Sequence, residues 1–445
     1  MKRSIALLAA LALMLSMAAC APKDPAPSSS GGSTPSGNSS QADPSGGASA
    51  YEVTEPVKIE FWHNNALEEK VKMINDCVNA FNASQELVEV EAVYIGDYDA
   101  IDEQLIAAQA AGSGVPALVA INFPRVITYA TNGIVEPLDP YFEAFDFDVS
   151  EFVEGFISPL TVDGSIYALP WGVSSSVMYY NMDLLNQLDI SIPENWEDLK
   201  AMCKTIYEET GNCGFSVSGN INYFNVPLIN TGADPFGDGT ASNMDDPKIV
   251  NWIKEFQEMC DLGYMEFVNG ADADSQVRAS FTGGLCASIM ETSSVAMQFA
   301  ANSPFEVKCL MPWGMERNNA TAAGSSIIIP MSNSQQVKNA AWQFLSFLTN
   351  EEWALEAAIY LGTYPIRDSI TEDPAKVQRI LDTYPIYDEL YTQLDRVVSK
   401  NKTPYYTSGM KLISSYIGQI IIDGADFDST YQAMNDELNN LMSGN

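Results

Sequence analysis

The sequence predicts an α/β fold of two lobes, and three observations predict it. Segments with the two-residue period of half-buried strands alternate with segments that place apolar residues on one face of a helix. Two polar segments that pass into β-branched runs, residues 163–185 and 322–330, have the design of strands that cross between lobes and leave a cleft at the crossing. The chain after residue 50 is also too long for a single core.

The first elements after residue 50 show these periods clearly. Residues 57–61 alternate apolar and polar side chains, which predicts a strand, and residues 71–81 carry an apolar stripe at helical spacing. A second strand and helix follow, and the helix is capped by Asp97 or Asp99. Residues 115–121 are wholly apolar, which is the pattern of a strand buried on both faces of a parallel sheet.

Residues 163–185 are the segment around which the two lobes are organised. The apolar residues lie at its two ends, whereas its middle consists of Pro170, Trp171, Gly172 and three serines. We expect that a strand of this composition is not buried along its whole length, so its middle should face something other than the core. A loop between two strands is the alternative.

The second half of the chain continues the alternation of strands and helices. Residues 193–199 open an amphipathic helix, and residues 341–348 carry a buried helix face. Thr349 and Glu352 have the spacing of a capping box for the next helix. The Gly-, Asp- and Asn-rich residues 232–246 miss the pattern of a calcium loop, so we interpret them as a solvated loop and predict no metal site.

The first twenty residues have the features of an export signal. Two basic residues precede an apolar run over residues 5–17, which is too short to span a bilayer, and small residues lead to Cys20. The stretch resembles a bacterial lipobox, which predicts a lipid on Cys20 and a protein held at the outer face of the cell membrane. An ordinary signal peptide is the alternative. Residues 21–50 are almost wholly small or polar, which predicts a flexible tether.

The composition argues against several classes of protein. The 22 basic and 58 acidic residues give a net charge of −36, which repels phosphate backbones and argues against nucleic acid as a partner. The chain has no G-x-x-x-x-G-K-[ST] motif, and its one histidine, His63, is a poor basis for a catalytic triad or a multi-histidine zinc site. The cysteines after Cys20 lack C-x-x-C spacing, so we expect buried free thiols, with Cys203 and Cys213 the nearest pair for a disulfide.

Eight short segments occur in an order typical of one protein family. They are FWH, GIVEPLD, GSIYALPWG, YYNMDLL, IPENWEDL, FTGGLCASIM, AGSSIIIP and AAWQFLSFLTNEEW. From residue 57 to its C-terminus the chain therefore resembles the family 1 extracellular solute-binding proteins of ABC importers. The resemblance implies a type II periplasmic-binding-protein-like fold that closes about a hinge. The two lobes would be residues 51–172 with 326–365, and residues 173–325 with 366–445.

The same resemblance implies how the protein acts. It would be a monomer without catalytic activity or cofactor, which delivers a small solute to membrane permease subunits driven by a separate ATPase. Most members carry sugars, and a branch that binds glycerol 3-phosphate or its diesters is nearer in sequence. The contacts of that branch carry over to Tyr98, Ser174, Thr292 or Ser293, Gly324 and Lys411.

Two positions depart from the phosphate-binding branch. Asn122 stands where the branch has a Glu, and Tyr364 is shifted by one place from the branch's Gly-Tyr-Leu-Pro. An Asn still satisfies hydroxyls as both donor and acceptor, so we favour a mono- or oligosaccharide, or a polyol, over a phosphate ester.

A sugar site needs an aromatic plate for the sugar's C–H face and many hydrogen-bond partners. Trp171 is the predicted plate, and the weaker candidates are Trp62, Tyr98, Tyr223, Trp313 and Tyr364. The predicted polar contacts are Asn64, Asn65, Asp97, Asn122, Ser174, Ser175, Thr292, Ser293 and Ser325. Asn64 and Asp97 are equally well explained as helix caps. The rival functions are a secreted glycoside hydrolase with two carboxylates and a structural adhesin, which the absence of repeats opposes.

Overall fold

The structure, a computed structural model, describes residues 50–444. The strands are β1 Val57–His63, β2 Val88–Tyr94, β3 Leu118–Asn122, β4 Thr161–Val162, β5 Ser165–Ile166, β6 Leu169–Asn181, β7 Phe215–Ser218, β8 Met265–Val268, β9 Ser288–Thr292, β10 Val307–Leu310, β11 Ala320–Ile328 and β12 Val397–Val398. The predicted export signal, the lipid on Cys20 and nearly all of the predicted tether lie outside the described residues.

Helices fill most of the remaining chain. The α-helices are α1 Glu68–Ser84, α2 Tyr98–Ala111, α3 Phe123–Thr131, α4 Asp139–Phe145, α5 Glu154–Ile157, α6 Met182–Gln187, α7 Trp196–Thr210, α8 Asn225–Asn230, α9 Pro247–Asp261, α10 Ala273–Thr282, α11 Ala296–Asn302, α12 Gln335–Leu348, α13 Glu351–Leu361, α14 Asp368–Thr371, α15 Pro374–Thr383, α16 Asp388–Tyr391, α17 Tyr406–Ile421 and α18 Phe427–Met442. No helix among residues 50–444 is long and apolar enough to cross a membrane.

The large sheet has the strand order β2-β1-β3-β11-β6-β9-β7-β8, with β10 beside β6 and β12 beside β11. β1 pairs in parallel with β2 and β3, and β7 pairs in parallel with β8 and β9. β6 and β11 lie between these two parallel groups and are antiparallel to each other. The predicted α/β alternation is confirmed.

β6 and β11 connect the two groups. The first part of β6, Leu169–Ser175, pairs with β11, and its second part, Ser176–Tyr180, pairs with β9. β11 reaches the other group because Ser325–Ile328 pair with β3. These two strands are the two segments from which the sequence predicts crossings.

Apolar side chains form two clusters in the described part of the chain. One includes Phe61 of β1 and the other Phe256 of α9. β6 contributes to both, since Val177 belongs to the first cluster and Met178 to the second. Successive side chains of a strand point to opposite faces of the sheet, so this half of β6 is buried on both faces.

β6 also corrects an expectation. It is one continuous strand in which every residue except Gly172 is buried, so the expectation of a partly unburied strand and the alternative of a loop are wrong. The expectation that its middle faces something other than the core is confirmed, because Trp171, Gly172, Ser174 and Ser176 line a cavity. Burial of the serines is tolerated because their hydroxyls find partners. Ser175 Oγ lies 2.8 Å from the Tyr364 hydroxyl, and Ser176 Oγ donates to the Asn222 carbonyl at 2.5 Å.

The capping box predicted at Thr349 and Glu352 is wrong. Asn350 caps α13, since its side chain accepts a hydrogen bond from the Trp353 N–H at 2.9 Å. Thr349 instead closes α12, and its hydroxyl donates to the Leu345 carbonyl at 2.8 Å.

The cysteines among residues 50–444 are free thiols, of which Cys77, Cys203, Cys286 and Cys309 are buried as predicted and Cys213 and Cys260 are only half-buried. Cys203 and Cys213 form no disulfide, and Cys213 lies across a backbone bridge from Cys286 instead. Burial raises the pKa of the Cys203 and Cys286 thiols well above the ordinary range, so both thiols stay protonated.

Candidate functional site

A cavity of about 290 Å³ lies where β6 and β11 run side by side. Several of its walls come from residues that follow parallel strands: Asn64 follows β1, Asn222 follows β7 and Ser294 follows β9. The crevice beyond the carboxyl ends of the strands is where α/β sheets bind ligands. The lining residues are Asn64, Asn65, Lys70, Tyr98, Trp171, Gly172, Ser174, Ser176, Asn222, Tyr223, Thr292, Ser294, Ala323, Gly324, Ser325, Leu361 and Thr363.

Two glycines allow β6 and β11 to approach each other at the cavity. Gly172 has φ +72° and Gly324 has φ +111°, and the pairing register shifts between Gly324 and Ser325. A Cβ on Gly324 would lie 2.3 Å from the Gly172 carbonyl oxygen. Only glycine meets both the backbone conformation and the close contact at this position.

Tyr98, Asn64 and Asn65 line the side of the cavity next to β1 and β2, and His63 lies directly before them on β1. The Tyr98 hydroxyl lies 2.6 Å from Ser325 Oγ, which ties the start of α2 to β11. His63 accepts a hydrogen bond at Nδ1 from the Asn65 N–H at 3.3 Å. Burial lowers the pKa of His63 to about 4, so its imidazole is neutral at pH 7.

The opposite side is built from β9 and the loop after β7. Thr292 Oγ1 donates to Ser174 Oγ at 3.1 Å. Tyr223 is buried beside Glu291, and burial together with that carboxylate raises the pKa of the phenol well above its usual range. Glu291 is itself paired with Arg278. This side therefore offers neutral hydroxyl and phenol groups.

Two lysines belong to the cavity region. Lys70 lines the cavity, and its Nζ donates to the Leu361 carbonyl at 3.0 Å. Lys400 lies behind the wall, is only 9% exposed and donates from Nζ to Asn222 Oδ1. Burial lowers the pKa of Lys400 to about 7.

Trp171 lines the cavity as part of the core. Its side chain is buried, and its ring meets Phe61 edge-on with 5.7 Å between the ring centroids. The indole Nε1 has no hydrogen-bond partner. Trp171 is thus a wall residue whose ring also packs on β1.

The structure brings many of the predicted contacts together. Those that line the cavity are Asn64, Asn65, Tyr98, Trp171, Ser174, Tyr223, Thr292, Gly324 and Ser325. Contact between these side chains and a ligand stays a prediction.

The other predicted contacts lie outside the cavity wall. Asp97 caps α2 by accepting from the Ala100 N–H at 2.9 Å, and Asn122 ends β3 with a buried, unpartnered Oδ1. Ser175, Ser293 and Tyr364 are buried; Tyr364 and Ser293 both hydrogen-bond to Ser175. Lys411 is exposed on α17 and is not part of the cavity wall.

Some lining residues were not predicted. Ser176 could have been found, because side chains at i and i+2 of a strand share a face and Ser174 was a candidate. Asn222 directly precedes the candidate Tyr223. Lys70, Thr363 and Lys400 reach the region through tertiary packing, for which the local sequence gives no signal.

The chain matches the family of bacterial extracellular solute-binding proteins over residues 76–380. A protein of Brucella abortus (strain 2308), named as a binding protein, is 28% identical over 250 residues, which are 54% of this chain and 60% of that protein. The match thus spans less than two thirds of that relative. The sn-glycerol-3-phosphate-binding periplasmic protein UgpB of Shigella flexneri is 25% identical over 82% of this chain and 86% of its own length.

Solved structures share the fold. The cyclic alpha-maltosyl-1,6-maltose binding protein of Arthrobacter globiformis superposes with a TM-score of 0.77 at 20% identity, covering 88% of this chain and 100% of that one. UgpB of Mycobacterium tuberculosis, in complex with glycerophosphocholine, gives a TM-score of 0.75 at 19% identity, covering 88% and 99%.

The fold and the cavity define a two-lobe α/β binding protein of type II, with the cavity at the crossing of the two lobes. The chain belongs to the family of bacterial extracellular solute-binding proteins.

Proposed function

We propose that this chain captures a carbohydrate, by closure of its two lobes over the cavity, and delivers it to the permease of an ABC importer. The observation that carries the proposal is the composition of the cavity wall. Amides, hydroxyls and aromatic side chains from both parallel strand groups converge there, including Asn64, Tyr98, Asn222 and Thr292. Such a wall suits a hydroxyl-rich solute that presents both apolar C–H faces and polar groups.

The volume favours a small ligand. About 290 Å³ lies just below the range of about 300–1,000 Å³ that small-molecule sites occupy. A mono- or disaccharide suits this volume better than a long oligosaccharide.

A glycerol 3-phosphate or glycerophosphodiester ligand is the second candidate. The observation that favours it is the similarity to UgpB of Shigella flexneri, which extends over most of both chains. The cation predicted for this ligand, Lys411, does not line the cavity, so Lys70 would have to be the cation that meets the phosphate.

A screen by intrinsic fluorescence and thermal shift over sugars, polyols and glycerophosphodiesters tests the proposal. A ligand that binds only the folded state raises its apparent stability by mass action. We expect one saturable ligand with a stoichiometry of one. Labelled oligosaccharides incubated with the protein should be recovered intact, and their hydrolysis would support the glycoside hydrolase alternative instead.

Anchoring and partners complete the proposal. Cys20 would carry the lipid that holds a monomeric protein at the outer face of the cell membrane, where the permease subunits take over the solute. Labelling cells with an alkyne fatty acid should tag the wild-type chain but leave Cys20→Ser untagged. A tagged Cys20→Ser chain would contradict the anchor.

A further inference from the structure

The wall of the cavity has an unusual charge for this chain. The protein carries 58 acidic residues, yet no Asp or Glu lines the cavity within the described residues, and Lys70 supplies a positive charge there. A neutral sugar donates hydrogen bonds from its hydroxyls, and carboxylates are the strongest acceptors for them. The wall provides none of these acceptors.

Two groups of the wall can donate to a ligand. The unpartnered Trp171 Nε1 and Thr363 Oγ1 are not among them, because both atoms are buried. Asn222 uses its other polar groups within the protein: its N–H donates to Asn220 Oδ1 at 2.9 Å, its carbonyl accepts from Ser176, and its Oδ1 accepts from Lys400. Its Nδ2 has no partner among the described residues. Lys70 is the second donor.

Lys400 determines which end of the Asn222 amide is free. An ammonium group can only donate, so the amide oxygen must face Lys400 and the amide NH₂ remains for the cavity. Lys400 is 9% exposed and forms no salt bridge within residues 50–444. A buried cation without a counter-ion is costly. An anion in the cavity would compensate that cost.

We infer that the ligand carries an anionic group, a carboxylate or a phosphate, and that Lys400 is a positioning residue that orients and polarises the Asn222 amide toward it. This inference rests on the proposed function, and it narrows the ligand to an acidic sugar or a sugar-like phosphate ester. Charge complementarity at the site also lets an anion enter a protein whose net charge would otherwise repel it.

Matched ligand pairs test the inference by calorimetry. Glucose is compared with glucuronate and with glucose 6-phosphate, and glycerol is compared with glycerol 3-phosphate and glycerophosphocholine. We expect an anionic member to bind at least tenfold more tightly than its neutral partner. The anionic member that binds most tightly shows whether the anionic group is a carboxylate or a phosphate. A neutral member that binds as tightly as its anionic partners overturns the inference while the proposed function stands. Failure of every neutral and anionic member to bind counts against both.

Variants test the role of Lys400. Lys400→Met should reduce the preference for the anionic member at least tenfold, whereas Lys400→Gln, which keeps a donor to Asn222, should retain part of it. Lys402→Met removes an exposed positive charge two residues away and is the matched control, with an unchanged preference. Equal preferences in Lys400→Met and Lys402→Met would contradict the positioning role.

Asn222→Asp tests the inference independently of Lys400→Met. The new carboxylate would pair with Lys400, so the fold is retained, and it would repel an anion from the cavity. We expect loss of the anionic ligand by more than a hundredfold together with an unchanged or higher melting temperature. Undiminished binding of the anionic ligand by Asn222→Asp would overturn the inference.

Discussion

Asp97 illustrates how a polar residue near a cavity can serve the fold. It directly precedes α2, and its side chain accepts from the Ala100 N–H, which satisfies one of the free N–H groups of the first turn. Its neighbour Tyr98 is the residue that lines the cavity. From the sequence, Asp97 could equally be a helix cap or a ligand contact. The hydrogen bond to the Ala100 N–H gives it a capping role that needs no ligand.

We therefore predict that Asp97→Ala destabilises the protein by about 1 kcal/mol, the usual cost of losing an N-cap. Urea denaturation measures the loss. Asp97→Asn is the control, because an Asn side chain caps a helix about as well as Asp, and it should lose much less. Equal losses for the two variants would show that the carboxylate charge matters rather than the cap.

Lys400 gives a second prediction at the residue scale, from its pKa. Burial lowers that pKa from 10.5 to about 7. The ring of Tyr406 lies 6.0 Å from its Nζ, and burial raises the pKa of that phenol well above its usual range, so Tyr406 stays neutral between pH 7 and 10. Asp234 is linked to this region through Asn401, and burial raises the pKa of its carboxyl group. The titration of Lys400 itself should therefore dominate locally.

The direction in which the stability effect of Lys400 changes with pH follows from proton linkage. Below pH 7 Lys400 is charged in both the folded and the unfolded chain, and the folded chain bears the full cost of the buried charge. Between about 7 and 10.5 the unfolded chain binds more protons, so this cost falls as pH rises. Lys400→Met should thus stabilise the free protein by up to about 5 kcal/mol at pH 6 and by much less at pH 9.5. Denaturation at both pH values checks this, and a pH-independent difference would contradict the buried charge.

At the scale of elements, the sequence predicted those whose pattern is set by one local period. The predicted order is found for β1, α1, β2 and α2. Each of these elements buries one face, and the spacing of its apolar residues indicates which face that is. The polar run of β6 gave a wrong answer about burial, since its serines are satisfied by Tyr364 and Asn222, which are distant in sequence. A local sequence pattern contains no information about partners that are distant in sequence.

The candidate site was predictable to a similar degree and for a similar reason. Thr292 was carried over from the family resemblance and Asn64 was predicted as a polar partner for a sugar, and both lie beside strand ends that meet at the cavity. Lys70 was not found, because it lies on a helix and its contact at the cavity, a hydrogen bond from Nζ to the Leu361 carbonyl, joins residues distant in sequence. Lys411 was carried over from the phosphate-binding branch, and the helix that holds it exposes it to solvent.

The paired strands β6 and β11 give a prediction at this scale. Gly324→Ala would place a Cβ 2.3 Å from the Gly172 carbonyl oxygen at a φ of +111°. Strain and a backbone clash should together destabilise the protein by about 3 kcal/mol or more. Gly112→Ala is the control, since Gly112 has φ +64° with open space around it and should lose only about 1 kcal/mol. Similar losses, measured by guanidinium denaturation, would contradict a close contact between the strands.

At the scale of the whole molecule, the chain's length and its two crossings predicted two lobes before any boundary could be drawn. The boundaries at residues 172 and 325 stay a prediction, because β6 and β11 each belong to both parts of one continuous sheet. The cavity takes Asn64 and Tyr98 from one parallel group and Asn222 and Tyr223 from the other. A ligand that contacts both groups binds the arrangement that brings them together more tightly than the arrangement that holds them apart.

We therefore predict that ligand binding compacts the molecule. Small-angle scattering should give a smaller radius of gyration at saturating concentrations of whichever solute binds in the calorimetric pairs, because the lobes close around β6 and β11. The neutral or anionic partner that does not bind, at the same concentration and ionic strength, is the control and should leave the radius unchanged. Asn222→Asp, which should lose the anionic ligand, is a second control and should keep the radius of the free protein when that ligand is added. If calorimetry shows saturation while the radius of gyration stays constant, the cleft is rigid and capture proceeds without closure.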